Sequence, residues 1–165
     1  GLRRLAAERD WLALGDASIK RVRVFRLPGI YGPGRSAIDN LRAGTARRII
    51  KPGQYFNRIH VEDIARAVVA AMIVPTPHQV FNVSDDEPSP PQDVVTYAAL
   101  LMGIEPPPAQ PFETADLSPM ARSFYGESKR VSNARLEAEL GFRPRYPSYR
   151  EGLAAILDAE RTGSP

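Results

Sequence analysis

The spacing of apolar and polar residues divides the chain into short alternating elements. Apolar residues at 2, 5, 6, 12 and 13, with charges between them, predict an amphipathic helix over residues 2–14, stopped by Gly15. Residues 19–27 alternate and then turn apolar (Ile19, Val22, Val24, Phe25, Leu27), which predicts a buried strand. A loop with glycines at 29, 32 and 34 follows, then a short helix over 37–43. Ile49-Ile50 and residues 55–60 predict two short strands around a turn at Pro52-Gly53. Val61, Ile64, Ala65, Val68, Val69 and Met72 fall on one helical face, with Glu62 and Asp63 in the first turn, where the helix dipole favours anions. That stripe is expected to be core.

Val80-Phe81-Asn82-Val83 predicts another buried strand. Ser89-Pro90-Pro91-Gln92 offers a capping box with proline at the first helical position, for a helix running to about Met102 before Gly103. Prolines 106, 107, 108 and 111 mark an extended linker. A helix through Leu136 stops at Gly141, and Ser148 with Glu151 caps a last helix. Single strands alternating with helices place the chain in the α/β class, with a largely parallel sheet and no internal repeat.

The loop after the first strand, LPGIYGPGR over residues 27–35, invites a reading as a phosphate cradle. In dinucleotide folds the glycines admit the pyrophosphate, and an acid about 20 residues on holds the ribose. Here the spacing is GxxGxG rather than GxGxxG, and Pro33 removes a backbone donor. The next acids, Asp39 and Glu62, fall too early and too late. The expected role is a turn that shapes the end of a strand.

Composition narrows the classes further. The 165 residues are 43% apolar, enough for one cored domain, and carry a formal charge of +3. That charge is uneven: residues 1–66 balance to +8, residues 67–121 to −7 and the remainder to +2. The bases lack the aromatic interleaving that stacks nucleobases, so the expected partner is no nucleic acid, and an anionic pocket or a solvated surface is favoured. With no cysteine, and with His60 and His78 far apart, no metal site is expected, and a cytoplasmic location suits the composition. No apolar run approaches membrane-spanning length.

FRLPGIYGPG, then NRIHVEDIARAV, then VFNVSDDEP and finally SKRVSNARLEAELGFRPRYPSYREGL stand in this order. Together they resemble the C-terminal half of extended short-chain dehydrogenase/reductases, also called the NAD-dependent epimerase/dehydratase family. FNRIHV and RYPSYREGL look closest to an uncharacterised bacterial branch. The resemblance implies the distal part of a Rossmann-like parallel sheet plus a small C-terminal substrate-binding subdomain over residues 1–165. It implies NAD or NADP as cofactor of an intact oxidoreductase or epimerase. A small-molecule substrate and an N-terminal Rossmann half would be its partners, with a homodimer left open. The family's glycine-rich phosphate loop and catalytic Tyr-x-x-x-Lys helix belong to that N-terminal half, so no catalytic residue is assigned here. Alternatives are a non-catalytic relative that senses a nicotinamide cofactor or metabolite, and an inactive fragment.

Carried over residue by residue, Leu27, Pro28, Gly29 and Ile30 would meet the nicotinamide through their backbone. Gly29 stands where sugar-nucleotide epimerases carry an asparagine, and Phe56 where they carry an arginine. Arg58 lies two residues on, so the anion clamp differs and a smaller or less charged substrate is expected. Arg35, Asn57, Arg58 and His60 are the candidate substrate-binding residues. His60 also suits a structural tie between strand and helix, and Asp63 a helix-start anion. Tyr125 and Lys129 match Y-x-x-x-K, but Gly126 and Pro119 argue against a helix there, and surface structure is expected.

Overall fold

The computed structural model describes residues 2–17 and 21–163. The first helix, α1, spans Leu2–Asp16 and passes through Gly15, with Ala17 N donating to Ala13 O. An interior glycine costs only about 1 kcal/mol, less than a turn's worth of backbone bonds requires. Leu2, Leu5, Trp11 and Leu14 are all exposed, so α1 does not bury the apolar face that its pattern implied. The next strand, β1 (Val24–Arg26), is shorter than expected, and its Val24 and Phe25 are half-buried rather than core. Ile19 and Lys20 of the expected strand lie outside the described residues.

There follow β2 (Gly29–Tyr31), α2 (Ala37–Arg42), β3 (Arg48–Ile50), β4 (Arg58–His60), α3 (Val61–Ile73) and β5 (Val80–Asn82). Then come α4 (Pro91–Met102), β6 (Ala109–Pro111), α5 (Pro119–Phe124), α6 (Ala134–Leu140) and α7 (Tyr149–Thr162). All strand pairing among the described residues is parallel, in three two-stranded sheets: β1 with β5, β2 with β4, and β3 with β6. The expected parallel class holds, in three short pairs rather than one long sheet. The proline linker is in part a strand, because Ala109–Pro111 lies extended along Arg48–Ile50. Helix α5 was not anticipated; Ser118 caps it by accepting from Ala121 N, with Pro119 at its first position.

Two hydrophobic clusters flank the β2–β4 pair. Ile59, Phe81, Val83, Ala67, Leu136, Leu140 and Phe142 join β4 and β5 to α3 and α6. Tyr31, Ile38, Val94, Ala98, Tyr149, Leu153, Ile156 and Leu157 join β2 to α2, α4 and α7. Helix α7 begins with the expected capping box: Ser148 Oγ takes backbone amides of the first turn while Glu151 accepts from Ser148 N at 2.9 Å. The capping box expected at Ser89 is absent. Ser89 Oγ donates instead to Glu87 O at 2.8 Å, and Ser89 exchanges backbone bonds with Phe56, so Pro90 caps α4 without a side-chain bond. That serine secures the chain reversal before the helix.

The apolar stripe on α3 is also corrected. Asp63 and Ala67 are the buried positions, whereas Val61, Val68, Val69 and Met72 are exposed, Met72 at 81%. The helix is apolar nearly all round. Its Ile64, Ala67, Ala70 and Ala71 side packs on Phe81 and Leu136, and the other apolar side meets no described element. Asp63 fixes the helix: its carboxylate accepts from Arg145 N at 2.8 Å, Tyr146 N at 3.0 Å and Arg66 Nη1 at 2.6 Å.

Packing is tightest where α7 crosses β2. A Cβ on Gly152 would lie 2.0 Å from the Tyr31 hydroxyl and 2.7 Å from two of its ring carbons. Gly152→Ala should therefore destabilise the fold by about 1–2 kcal/mol, the overpacking cost outweighing the helix-propensity gain. Urea unfolding reads this, and a more stable Gly152→Ala protein would contradict the contact.

Candidate functional site

The register of β2 on β4 pairs Gly29 with Arg58, Ile30 with Ile59 and Tyr31 with His60. It thereby sets the loop leaving β1 beside the arginine of β4. A cleft of about 310 Å³ opens there, between β2, α2, α4 and α7. Gly29, Ile30, Arg35 and Arg58 line it together with Asn40, Val94, Val95 and Tyr149. Half of the expected site residues are thus gathered in one place. Leu27 and Pro28 lie just outside, at the carboxyl end of β1, where ligands of parallel α/β folds sit. Leu27 is exposed.

The remaining two expected residues are held elsewhere. Asn57 spends its amide on the chain opposite: Nδ2 donates to Lys129 O at 2.9 Å and Oδ1 accepts from Val131 N at 2.8 Å. It pins residues 129–131 and does not line the cleft. His60 is buried between Tyr31 and Tyr146, with ring centroids 5.2 and 4.2 Å away, and its Nδ1 accepts from Glu62 N at the start of α3. Burial lowers its pKa, which keeps the ring neutral near pH 7. The structural tie is what the geometry provides. Tyr125 and Lys129 share no helix: Tyr125 caps the end of α5, and Lys129 pairs with Glu127 on the surface.

Several of the loop amides are spent internally. Gly29 N donates to Asn57 O, while Gly32 and Arg35 exchange N–H and C=O bonds across the turn. Pro33 has no N–H. The loop therefore presents no nest of free amides to a pyrophosphate, which agrees with the reading from its glycine spacing.

Arg58 is positioned by backbone. Its Nη1 donates to Phe56 O at 3.0 Å and Ser89 O at 3.3 Å. Among the described residues its Nε and Nη2 make no hydrogen bond, and neither is sealed from solvent. Behind it sits Asp85, 2% exposed, whose backbone N–H donates to Arg58 O at 2.8 Å. Neither carboxylate oxygen of Asp85 has a hydrogen-bond partner among the described residues. Burial raises this carboxyl to about 7; the Arg58 charge opposes the shift without cancelling it. Burial also raises the Tyr31 phenol, whose hydroxyl donates to Ser148 O at 3.3 Å.

Asp85, Asn40 and Tyr149 escaped the sequence reading. The only cue to Asp85 was a pair of aspartates directly after a buried strand, which surface loops also show. Asn40 and Tyr149 reach the cleft through helix orientation, which one sequence does not reveal.

No family model matches the chain. The structure superposes on the C-terminal part of the epimerase and short-chain dehydrogenase/reductase fold over nearly all of its length. That likeness shows the fold, and the four ordered motifs resemble those of extended short-chain dehydrogenase/reductases. A functionally unknown conserved protein from Silicibacter pomeroyi is 60% identical with a TM-score of 0.77, covering 84% of this chain and 48% of its own. A 3-diazoavenalumate denitrifying reductase from a Streptomyces species is 28% identical over 92% of this chain and 49% of the reductase. Human epimerase family protein SDR39U1, solved with NADPH, is 21% identical with a TM-score of 0.70, covering 84% of this chain and 49% of its own. The chain spans about half the length of these relatives.

The buried carboxyl sets a pH dependence. An aspartate in the unfolded chain ionises near ~3.9, whereas Asp85 in the fold does so at about 7. Between those values the native state holds a proton that the unfolded chain has lost, so stability falls as pH rises. The slope reaches ~1.4 kcal/mol per pH unit. Asp85→Asn should abolish it, its stability relative to the parent rising from pH 4.5 to 7.5 in urea titrations. A flat difference across that range would show that Asp85 ionises normally.

Proposed function

We propose that this chain is the substrate-binding, nicotinamide-facing half of an NAD(P)-dependent oxidoreductase or epimerase acting on a small metabolite or sugar-derived substrate. The carrying observation is the path of residues 27–30. They leave the carboxyl end of β1 and enter the wall of the cleft that holds Arg58. In this reading one side of that loop faces the cofactor and the other faces the substrate. Relatives solved with NADPH or NAD and a reductase among the similar proteins support this reading.

In this reading Leu27, Pro28, Gly29 and Ile30 hold the nicotinamide end by main-chain contacts. A bound cofactor supplies hydride transfer. Arg58 and Arg35 orient the substrate by charge, while Val94, Val95 and Tyr149 shield its apolar part from water. Asn57 keeps the 129–131 segment docked on β4. The pyrophosphate end is assigned to a nucleotide-binding Rossmann half, since the amides of Gly29, Gly32 and Arg35 are spent and Pro33 has none. The apolar side of α3 that meets no described element and the edge of β1 that pairs with no described strand suit contact with such a half.

Calorimetric titration with NADH and NADPH tests the division of labour. This chain alone should show no saturable binding, and the protein carrying both halves should bind one of them. In that protein Gly29→Val, whose added side chain would crowd Asn57 O at 3.3 Å and shift the loop backbone, should weaken cofactor affinity about tenfold. Micromolar binding by the isolated chain would refute the proposal.

A further inference from the structure

Three groups face the cleft with donors to spare: Arg58, Arg35 and Asn40. The side chains of Arg35 and Asn40 make no hydrogen bond or ion pair with a described residue. Arg58 differs from the other two in being half-buried and fixed by the carbonyls of Phe56 and Ser89, so the edge bearing Nε and Nη2 is aimed at little entropic cost. A guanidinium edge of this kind matches a planar carboxylate bidentately.

The surroundings discriminate among anions. Asp93, and Asp85 once ionised toward pH 7, act on Arg58 and raise the cost of a second negative charge beside it. The turn beside the cleft spends the amides of Gly29, Gly32 and Arg35, and Pro33 has none, so it builds no nest for a phosphate. The opposite wall is apolar, built from Val94, Val95, Tyr149 and Leu153. The volume of about 310 Å³ stands at the small end of ligand pockets, which run from ~300 to ~1,000 Å³.

We propose that this cleft takes a small organic acid, with its carboxylate on the free edge of Arg58 and its apolar body against Val95 and Tyr149. The proposal rests on the reading of the cleft as the substrate site and names the substrate class. Arg35 and Asn40 close the rim over the carboxylate. The small volume and the single aimed guanidinium disfavour a nucleoside diphosphate sugar.

The test titrates the ¹⁵N-labelled chain with 3-phenylpropanoate, its neutral analogue 3-phenylpropanamide, and inorganic phosphate. Saturable shifts at Gly29, Asn40 and Val95 are expected with the acid, with at least tenfold weaker binding of the amide and of phosphate. Arg58→Lys should weaken the acid about tenfold while keeping a dispersed spectrum. If Arg58→Lys fails to fold, Val95→Asp, on the half-buried face of α4, should repel the acid by a similar factor. Equal binding of acid and amide, tighter binding of phosphate, shifts confined to other residues, no binding at all, or an unaffected Val95→Asp would each overturn the proposal. No cofactor enters this assay. A failure here therefore leaves the NAD(P) reading standing, and a failed NADH or NADPH titration leaves the carboxylate site standing.

Discussion

Parallel pairing of three residues with three others governs most of what this chain can do. Gly29–Tyr31 lies on Arg58–His60 in a single register, and a shift by one position would turn every side chain to the opposite face. In the observed register Tyr31 enters the cluster with α7 while its partner His60 stays against Tyr146 and caps α3. Arg58 is then left beside Gly29 at the mouth of the cleft. The register is held from both sides. Asp63 ties the start of α3 to the segment before α7, and the Tyr31 hydroxyl reaches Ser148 at the cap of α7.

Around that pair the polar groups divide into those that are consumed and those that are left over. Asn57, Gln54 and Asp63 are consumed in tying backbone segments together. Arg58 is half consumed, two bonds fixing it and the rest of its fork facing the cleft. Asp85 is left over, buried without a hydrogen-bonding partner in the described structure. A buried carboxyl in that condition costs stability when ionised, and such costs accumulate where a site needs a group that is not in its relaxed state.

The elements with local signals were legible in the sequence. Helix α7 carried its Ser148–Glu151 box, α6 its Gly141 with φ of 59°, and α3 its acids in the first turn. The misreadings arose where tertiary context decides. Nothing in the α3 pattern separates a face packed on Phe81 from a face that meets no described element, since both are apolar. Ser89 has the spacing of a cap but is drawn away by Glu87 and Phe56. Asn57 and Arg58, adjacent in the chain, point to opposite sides of a strand, so one became a clamp and the other a cleft residue. Four of the eight proposed site residues share the cleft because motif order predicted the loop and the strand that the register joins.

The docking of residues 125–131 has a consequence for how such chains diverge. Lys51, Gln54 and Asn57 reach across to main-chain groups of Tyr125, Glu127, Lys129 and Val131. Beyond the Ser128 hydroxyl held between Tyr55 and Gly53, the Tyr125 ring against Phe56 and Phe112, and Arg130 over Tyr55, the attachment asks little of side-chain identity in that segment. A lineage can rewrite the positions that make no such side-chain contact without undoing the main-chain anchor. Substitution there is constrained by the peg it hangs on more than by the segment itself.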